Sequence, residues 1–331
     1  MKKMFFLWIC FCMISHVVAQ TPSNDSHWRI NHEKSDEFNQ STLDVNKWRY
    51  LRRGFDAMGI EKFYENCVSL QNGCLRLKTE KIDTEYHTGG IETRSADYSY
   101  GYYEISATIP KGKGFWTAFW LFAERWNPWP SHRDWYDEID ILEPDGCQGV
   151  LADKNTVGLW ERRQPEAEDK KFAEYTLEHL PDLSLSEHRF AVEWLPNYVC
   201  FYFDDQPFNK YCNHFSIPSH PMHVLIDQQI SAGDCAPDFF TDVTLPQFFS
   251  VNWFRYYELK FDCNTVIDSV AGNGFDFNQM DYRVKKSYAI RNTSVPPDSK
   301  VTLRATDTIE INGTFEVPLG SEFIMHITPC Y

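Results

Sequence analysis

No CxxC or HxxxH spacing in this sequence offers a metal site, and few segments repeat with the 3.6-residue period of an amphipathic helix. No apolar stretch is long enough to cross a bilayer either. Each absence removes a class of protein. The one apolar run near the start, Met4 to Ile14, follows Lys2 and Lys3 and precedes Val17-Val18-Ala19. That layout predicts a secretory leader over residues 1–19. Cys10 and Cys12 lie inside the run without the small residues a lipoprotein cleavage site would place before them. The mature chain is therefore expected to be secreted, periplasmic or at the cell surface, with no membrane insertion. Positive charge is also scarce: 32 Lys and Arg against 47 Asp and Glu give a net charge of −15. Removing Lys2 and Lys3 with the leader takes it to −17. Such a surface repels nucleic acid and anionic membranes, so neither is an expected partner. It weighs mildly against a heavily sulfated ligand, which a local basic patch would have to overcome.

Ten cysteines less the two in the leader leave eight, an even number that points to disulfides in an exported chain. They are Cys67, Cys74, Cys147, Cys200, Cys212, Cys235, Cys263 and Cys330. Cys67–Cys74 and Cys200–Cys212 each flank an expected hairpin, and Cys263–Cys330 would bracket the C-terminal segment.

Most of the chain reads as short strands between turn residues. Tyr102 to Ile109, Phe190 to Trp194, Tyr198 to Phe203, His223 to Ile230 and Phe249 to Tyr257 are the clearest. The turn Asp204-Asp205-Gln206-Pro207 follows the third, and Pro165 to His179 is the best helical candidate. Many strands and few helices predict an all-β sandwich or jelly roll. Near Lys260 the texture changes: aromatics thin out, and Val301 to Ile327 alternates tightly, broken at Asn312-Gly313 and Leu319-Gly320. The expected organisation is a leader (1–19), a large β domain (20–260) and a small β-rich module (261–331). Asn39, Asn292 and Asn312 each begin an N-x-Ser/Thr triplet.

The chemistry centres on Glu138-Ile139-Asp140-Ile141-Leu142-Glu143. In a regular strand Glu138 and Asp140 share a face and Glu143 points away. One extra residue, a β-bulge around Ile141-Leu142, returns Glu143 to that face. Three carboxyl groups in a row push their neighbours' pKa values apart, as an acid working near neutral pH requires. Upstream, Gly101 to Ile109 alternates, and a Gly-rich turn leads into Phe115-Trp116-Thr117-Ala118-Phe119-Trp120-Leu121. Indole rings beside acids suit a sugar cleft, because aromatic faces stack on pyranose rings. An isolated acidic strand would more often be a solvated face; the tryptophan strand argues against that here.

These residues resemble glycoside hydrolase family 16, in its branch with a bulged E-x-D-x-x-E strand. The likeness runs over roughly residues 28–258. It takes in Ser35 to Asn39, Gly101 to Glu104, Gly114 to Leu121, His188 to Trp194, Phe201 to Asp204 and Val251 to Tyr257. The resemblance implies a concanavalin A-like β-jelly-roll with an open cleft. It also implies endo-acting hydrolysis of β-linked polysaccharides with retention of configuration. Carried onto this chain, Glu138 is the nucleophile, Glu143 the acid/base, and Asp140 the group that tunes both. Trp116 and Trp135 are the candidates for stacking on sugar, with Trp160 weaker. Trp120 is a further candidate that suits the core better, and Arg94 is a candidate for substrate hydroxyls or an acidic substituent.

The chain departs from the family at Thr117, where glucan-cleaving members usually have Pro, at Leu159-Trp160, in place of a His-containing pair, and at Arg133 to Asp137. These departures bear on the substrate rather than the reaction. The chemistry requires no cofactor. Many members carry a structural calcium on the convex side, and suitable acids are present here, but no EF-hand-like pattern commits the chain to one. A monomeric endo-β-glycanase is expected, on a β-1,3- or mixed-linkage glucan. An algal or mucin-type β-galactan is the alternative substrate, and a non-catalytic lectin the alternative class.

Overall fold

The structure is a computed structural model that describes residues 27–51, 61–128, 131–144, 152–162, 170–196, 198–211, 217–230, 244–268, 277, 282–297 and 299–330. The expected leader and the cysteines at 147, 212 and 235 lie outside these residues, so the Cys200–Cys212 pairing does too. Among the described residues there is no α-helix, and no helix long and apolar enough to cross a membrane.

Two sheets, antiparallel except at one edge pair of the larger, pack face to face. The larger runs in the order β15 (Gln206–Tyr211), β14 (Tyr198–Phe203), β13 (His188–Leu195), β8 (Gly101–Thr108), β17 (Gln247–Leu259), β5 (Leu75–Ile82), β6 (Glu85–Thr88) and β3 (Glu61–Phe63). β1 (Trp28–Ile30) adds to β17, and β4 (Val68–Leu70) adds to β5. The second sheet has the order β12 (Lys170–Leu177), β11 (Asn155–Arg162), β10 (Ser131–Glu143), β9 (Phe115–Pro128), β16 (His223–Ile230), β7 (Gly90–Thr93) and β2 (Trp48–Tyr50). The chain crosses repeatedly from one sheet to the other, which is the expected jelly-roll sandwich.

Period-2 alternation sorts the side chains. On β9, Phe119, Leu121 and Ala123 enter the core between the sheets; on β10, Ile139 and Ile141 do the same. Ala118, Trp120, Phe122 and Tyr136 point to the other face of the second sheet. They remain buried there because Leu51 and Phe63 pack over them. The outer face of the larger sheet carries its own cluster: Trp28, Tyr102, Ala191, Leu195 and Tyr257, with Tyr282 packed against it.

Two expectations fail. Within Pro165 to His179, the described residues Lys170–Leu177 form β12, paired antiparallel with β11. Its cross-strand contacts, such as Thr156 Oγ1 to Thr176 Oγ1 at 3.0 Å, favour the sheet over an isolated helical turn. Cys67 and Cys74 are both unbonded. They do flank a hairpin, but the register Val68↔Leu77 and Leu70↔Leu75 puts Gln71 opposite Cys74, and Cys67 pairs beyond Leu77. The two cysteines stand on different rungs. A third expectation needs adjusting: the turn after β14 is Asp204-Asp205 alone, both at positive φ, and the strand resumes at Gln206.

After β17 the chain forms a separate four-stranded parallel sheet, β18 (Asp262–Asp268), β19 (Lys285–Ser294), β20 (Lys300–Glu316) and β21 (Glu322–Ile327). Partners such as Asp262↔Lys285, Lys285↔Ala305 and Lys300↔Glu322 show successive strands offset by 20 to 23 residues. It has its own buried cluster around Tyr288, Ile290, Val301 and Leu303. The Cys263–Cys330 disulfide closes it, as expected. Asn292, at φ 46°, accepts the Thr314 N–H at 3.1 Å. A Cβ on Gly313 (φ 77°) would come within 2.3 Å of that Asn292 oxygen, so this corner requires glycine. The predicted break at Asn312-Gly313 is thus a corner within β20.

Candidate active site

The bulge lies where the spacing predicts it. Glu138 pairs with Phe122 on β9 and Trp160 on β11, and Asp140 pairs with Trp120 and Gly158. The next pairs are Leu142↔Phe119 on one side and Glu143↔Thr156 on the other. β10 therefore gains one residue on both neighbours between Asp140 and Glu143. Ile141 and Leu142 both turn inward, 1% and 0% exposed. Glu143 returns to the outer face.

A buried amide holds this irregularity. Asn155, 1% exposed, accepts the Glu143 N–H at 3.0 Å and donates to the Ile141 carbonyl at 3.1 Å. It replaces ladder bonds that the extra residue takes out of register, which a buried backbone cannot leave unmade.

The three acids line one cleft of about 270 Å3. Its other walls include Trp116, Ala118, Trp120, Phe122, Tyr136, Trp160 and Gln229. Asp140 is 4% exposed, and its carboxyl is pushed well above the usual range, first by burial and then by the charges of Glu143 and Glu138. The Trp160 indole opposes this, and a hydrogen bond to Glu138 reinforces it. A protonated Asp140 donating to Glu138 favours the ionised form of that neighbour. Gly158, opposite Asp140, makes the arrangement fit. A Cβ there would lie 2.9 Å from Asp140 Oδ2 and 3.1 Å from Trp160 Nε1.

Trp116 lines the cleft as expected, but its Nε1 also donates to Glu143 Oε1 at 2.9 Å. Trp120 is 6% exposed on the cleft floor, pinned by its indole to Asp227 Oδ2 at 2.7 Å. This combines the core and the cleft readings. Trp160 lines the cleft beside Asp140. The side chain of Trp135 lies outside the described ones. Arg94 is not among the cleft residues. It lines a different cavity of about 550 Å3 with Val45, Trp48, Arg49, Tyr50, Leu51 and Glu92, at the β2–β7 end of the same sheet. Its Nε donates to the Val45 carbonyl. Thr117 is 1% exposed and bonds Gln228 at 2.7 Å, on the face away from the cleft. Asn155, Gln229, Asp227 and Gly158 were not foreseen. The alternation of β16 would have given Asp227 and Gln229 a common face once its neighbours were known. Among the described residues no group of three or more His, Cys, Asp or Glu gathers as a metal site.

Comparison with known proteins gives the family. The profile of Glycosyl hydrolases family 16 matches residues 60–238, more than half of the chain. A "Beta-glucanase" of Rhodothermus marinus is 25% identical over 228 residues, which cover 64% of this chain and 76% of that protein. A "Keratan-sulfate endo-1,4-beta-galactosidase" of Sphingobacterium multivorum is 26% identical over 255 residues, covering 71% of this chain and 57% of that one. The laminarinase catalytic domain of Thermotoga maritima superposes with a TM-score of 0.55 at 24% identity, covering 72% of this chain and 99% of that one. Porphyranase B of Zobellia galactanivorans gives 0.57 at 21%, covering 70% and 93%. The chain belongs to glycoside hydrolase family 16 and is a glycoside hydrolase. That membership sets the lectin reading aside.

Proposed function

We propose that the protein is a secreted, endo-acting, retaining β-glycan hydrolase. Its preferred substrate in this reading is a β-1,3- or mixed-linkage glucan. The observation that supports it is the bulge itself, which sets Glu138, Asp140 and Glu143 along one aromatic-floored cleft. Glu138 attacks the anomeric carbon while Glu143 protonates the departing oxygen. Glu143, now ionised, then takes a proton from the water that hydrolyses the glycosyl-enzyme. Asp140, kept protonated by burial, donates a hydrogen bond to the Glu138 carboxylate and stabilises its charge again when the covalent bond breaks. Retention calls for carboxyl groups about 5–5.5 Å apart. Along a strand rising roughly 3.3 Å per residue the two backbones stand further apart than this, so in this reading the side chains lean together across a concave face.

A β-galactan is the second reading. It is favoured by the galactosidase and porphyranase among the similar proteins and by Trp160 standing in the cleft beside Asp140. One experiment separates the two: purified protein against laminarin, lichenan, agarose, porphyran, carrageenan and mucin, with products sized by chain length. Short oligosaccharides from laminarin or lichenan favour the glucan, and products from the galactans alone overturn it. Glu138→Ala and Glu143→Ala should each abolish release of products with melting temperature retained. If Glu138→Ala keeps more than a few per cent of turnover, the nucleophile is another group.

A further inference from the structure

Glu143 is held both through its backbone and through its carboxyl group. Its N–H is tied to the buried Asn155 amide, which also holds Ile141 across the bulge. This settles where the side chain leaves the strand. It does not settle the carboxyl group, because the last torsion of a Glu side chain is broad and nearly two-fold. A carboxyl that flips freely presents its proton to the wrong side half of the time. The second point of attachment removes that freedom: Trp116 Nε1, on the adjacent strand, donates to Glu143 Oε1 at 2.9 Å.

On the hydrolase reading above, we propose that Trp116 is a positioning residue for the acid/base and that its indole N–H dictates which oxygen of Glu143 carries the catalytic proton. An indole nitrogen donates and cannot accept. The oxygen facing it must therefore be an acceptor in both protonation states. In the protonated acid the carbonyl oxygen is the stronger acceptor, so this bond favours the proton on Oε2. When Glu143 ionises after giving its proton to the leaving oxygen, the same N–H becomes a charge-assisted bond to the carboxylate. Oε2 is then left to receive the proton of the incoming water. One donor thus orients both half-reactions without joining either. Stacking on a sugar would need only the ring face of Trp116, and that contact is open to phenylalanine as well. The N–H bond is specific to tryptophan.

Trp116→Phe keeps an aromatic ring and removes the donor. With polymer, kcat should fall roughly ten- to a hundredfold while KM stays within about twofold, because proton transfer is impaired and ring contact is not. The alkaline limb of the pH profile should move up by about one pH unit, since losing a donor to the charged form disfavours that form. With an aryl glycoside whose dinitrophenolate leaves unprotonated, kcat/KM should drop less than about threefold. A purely structural or stacking role would depress both substrates alike, or raise KM, and either outcome overturns the proposal.

Two further measurements follow, and the first stands apart from turnover and from the hydrolase reading. Carbon-13 NMR titration of Glu143 should show its carboxyl rising by about one pH unit in Trp116→Phe. An unchanged titration overturns the proposal even if the protein cleaves none of the glycans tried. Benzothienylalanine at position 116 keeps the shape of the indole and replaces the N–H with sulfur. It should reproduce the Phe phenotype, and wild-type kinetics there would overturn it too. A wild-type protein inactive on every glycan, with the Glu143 titration shifting as expected, would instead sink the proposed retaining β-glycan reading and leave the hydrogen-bond role standing.

Discussion

The clearest pH-dependent perturbation lies on the far side of the sandwich from the cleft. Glu104, on β8, is 2% exposed on the outer face of the larger sheet. Burial pushes its carboxyl up from an ordinary 4.5 to about 7. The Arg189 and Arg255 guanidinium groups pull it back and Asp205 adds to the rise, so the arginines offset burial only in part. The folded protein therefore holds this proton more tightly than the unfolded chain does. Below pH 4.5 both states are neutral at Glu104, and it costs nothing. Between pH 4.5 and about 7 the unfolded chain ionises first, so stability falls as pH rises. Above about 7 both states are ionised and the loss is complete. The interval corresponds to about 3 kcal/mol, a large share of a typical domain's 5–15 kcal/mol.

Glu104→Gln keeps the shape and cannot ionise. Its stability relative to wild type should rise by about 3 kcal/mol between pH 4 and pH 8.5. Whatever fixed difference the amide introduces cancels in that comparison. Urea unfolding followed by tryptophan fluorescence at both pH values measures it. A relative stability that changes by less than about 1 kcal/mol would show that Arg189 and Arg255 fully neutralise the carboxylate, and the burial argument would fail.

Gly158→Ala should lower kcat at least tenfold with little loss of melting temperature, because the new methyl group meets Asp140 Oδ2 and Trp160 Nε1 at 2.9 and 3.1 Å. Kinetics paired with a melting curve check this, and unimpaired turnover would show that the indole and carboxyl can give way. A chain ending at Lys260 should fold and keep its activity on soluble oligosaccharides, since the parallel sheet has its own core and disulfide and every proposed catalytic acid lies upstream. It should be less soluble than the full chain, however, because removing Tyr282 uncovers the Trp28, Tyr102 and Tyr257 cluster. Insolubility that solubilising changes on this face cannot rescue would mean that residues 261–331 are part of one domain with the sandwich.

How far the sequence could be read follows from how local each feature is. The acid trio and its bulge depend on six consecutive residues and the two-residue period of a strand, so they were legible. The strands of the sandwich were legible for the same reason. The Cys67–Cys74 pairing depended on a hairpin register, and a turn at Asn72-Gly73, two residues beyond the centre that pairing needs, defeats such an inference. Lys170–Leu177 has no strong periodicity of its own; β11 beside it makes it a strand. Trp116 was found as a cleft residue from its neighbours in sequence. Its bond to Glu143 joins residues 27 positions apart and requires the register of β9 on β10.

Asn155 shows why some of the site stays hidden from a single sequence. Read alone, Asn155-Thr156-Val157 is an ordinary strand start, and a polar residue there is expected to face water. Its burial makes sense only because β10 carries one residue too many. The extra residue strands a donor at Glu143 and an acceptor at Ile141, and a single amide has one group to match each. An aspartate would satisfy the donor and leave the Ile141 carbonyl facing a carboxylate. A leucine would fill the space and leave both groups unmade, at about 1–3 kcal/mol each. The bulge that aligns the acids and the asparagine that steadies it are thus one structural solution, although only the first is written in the motif.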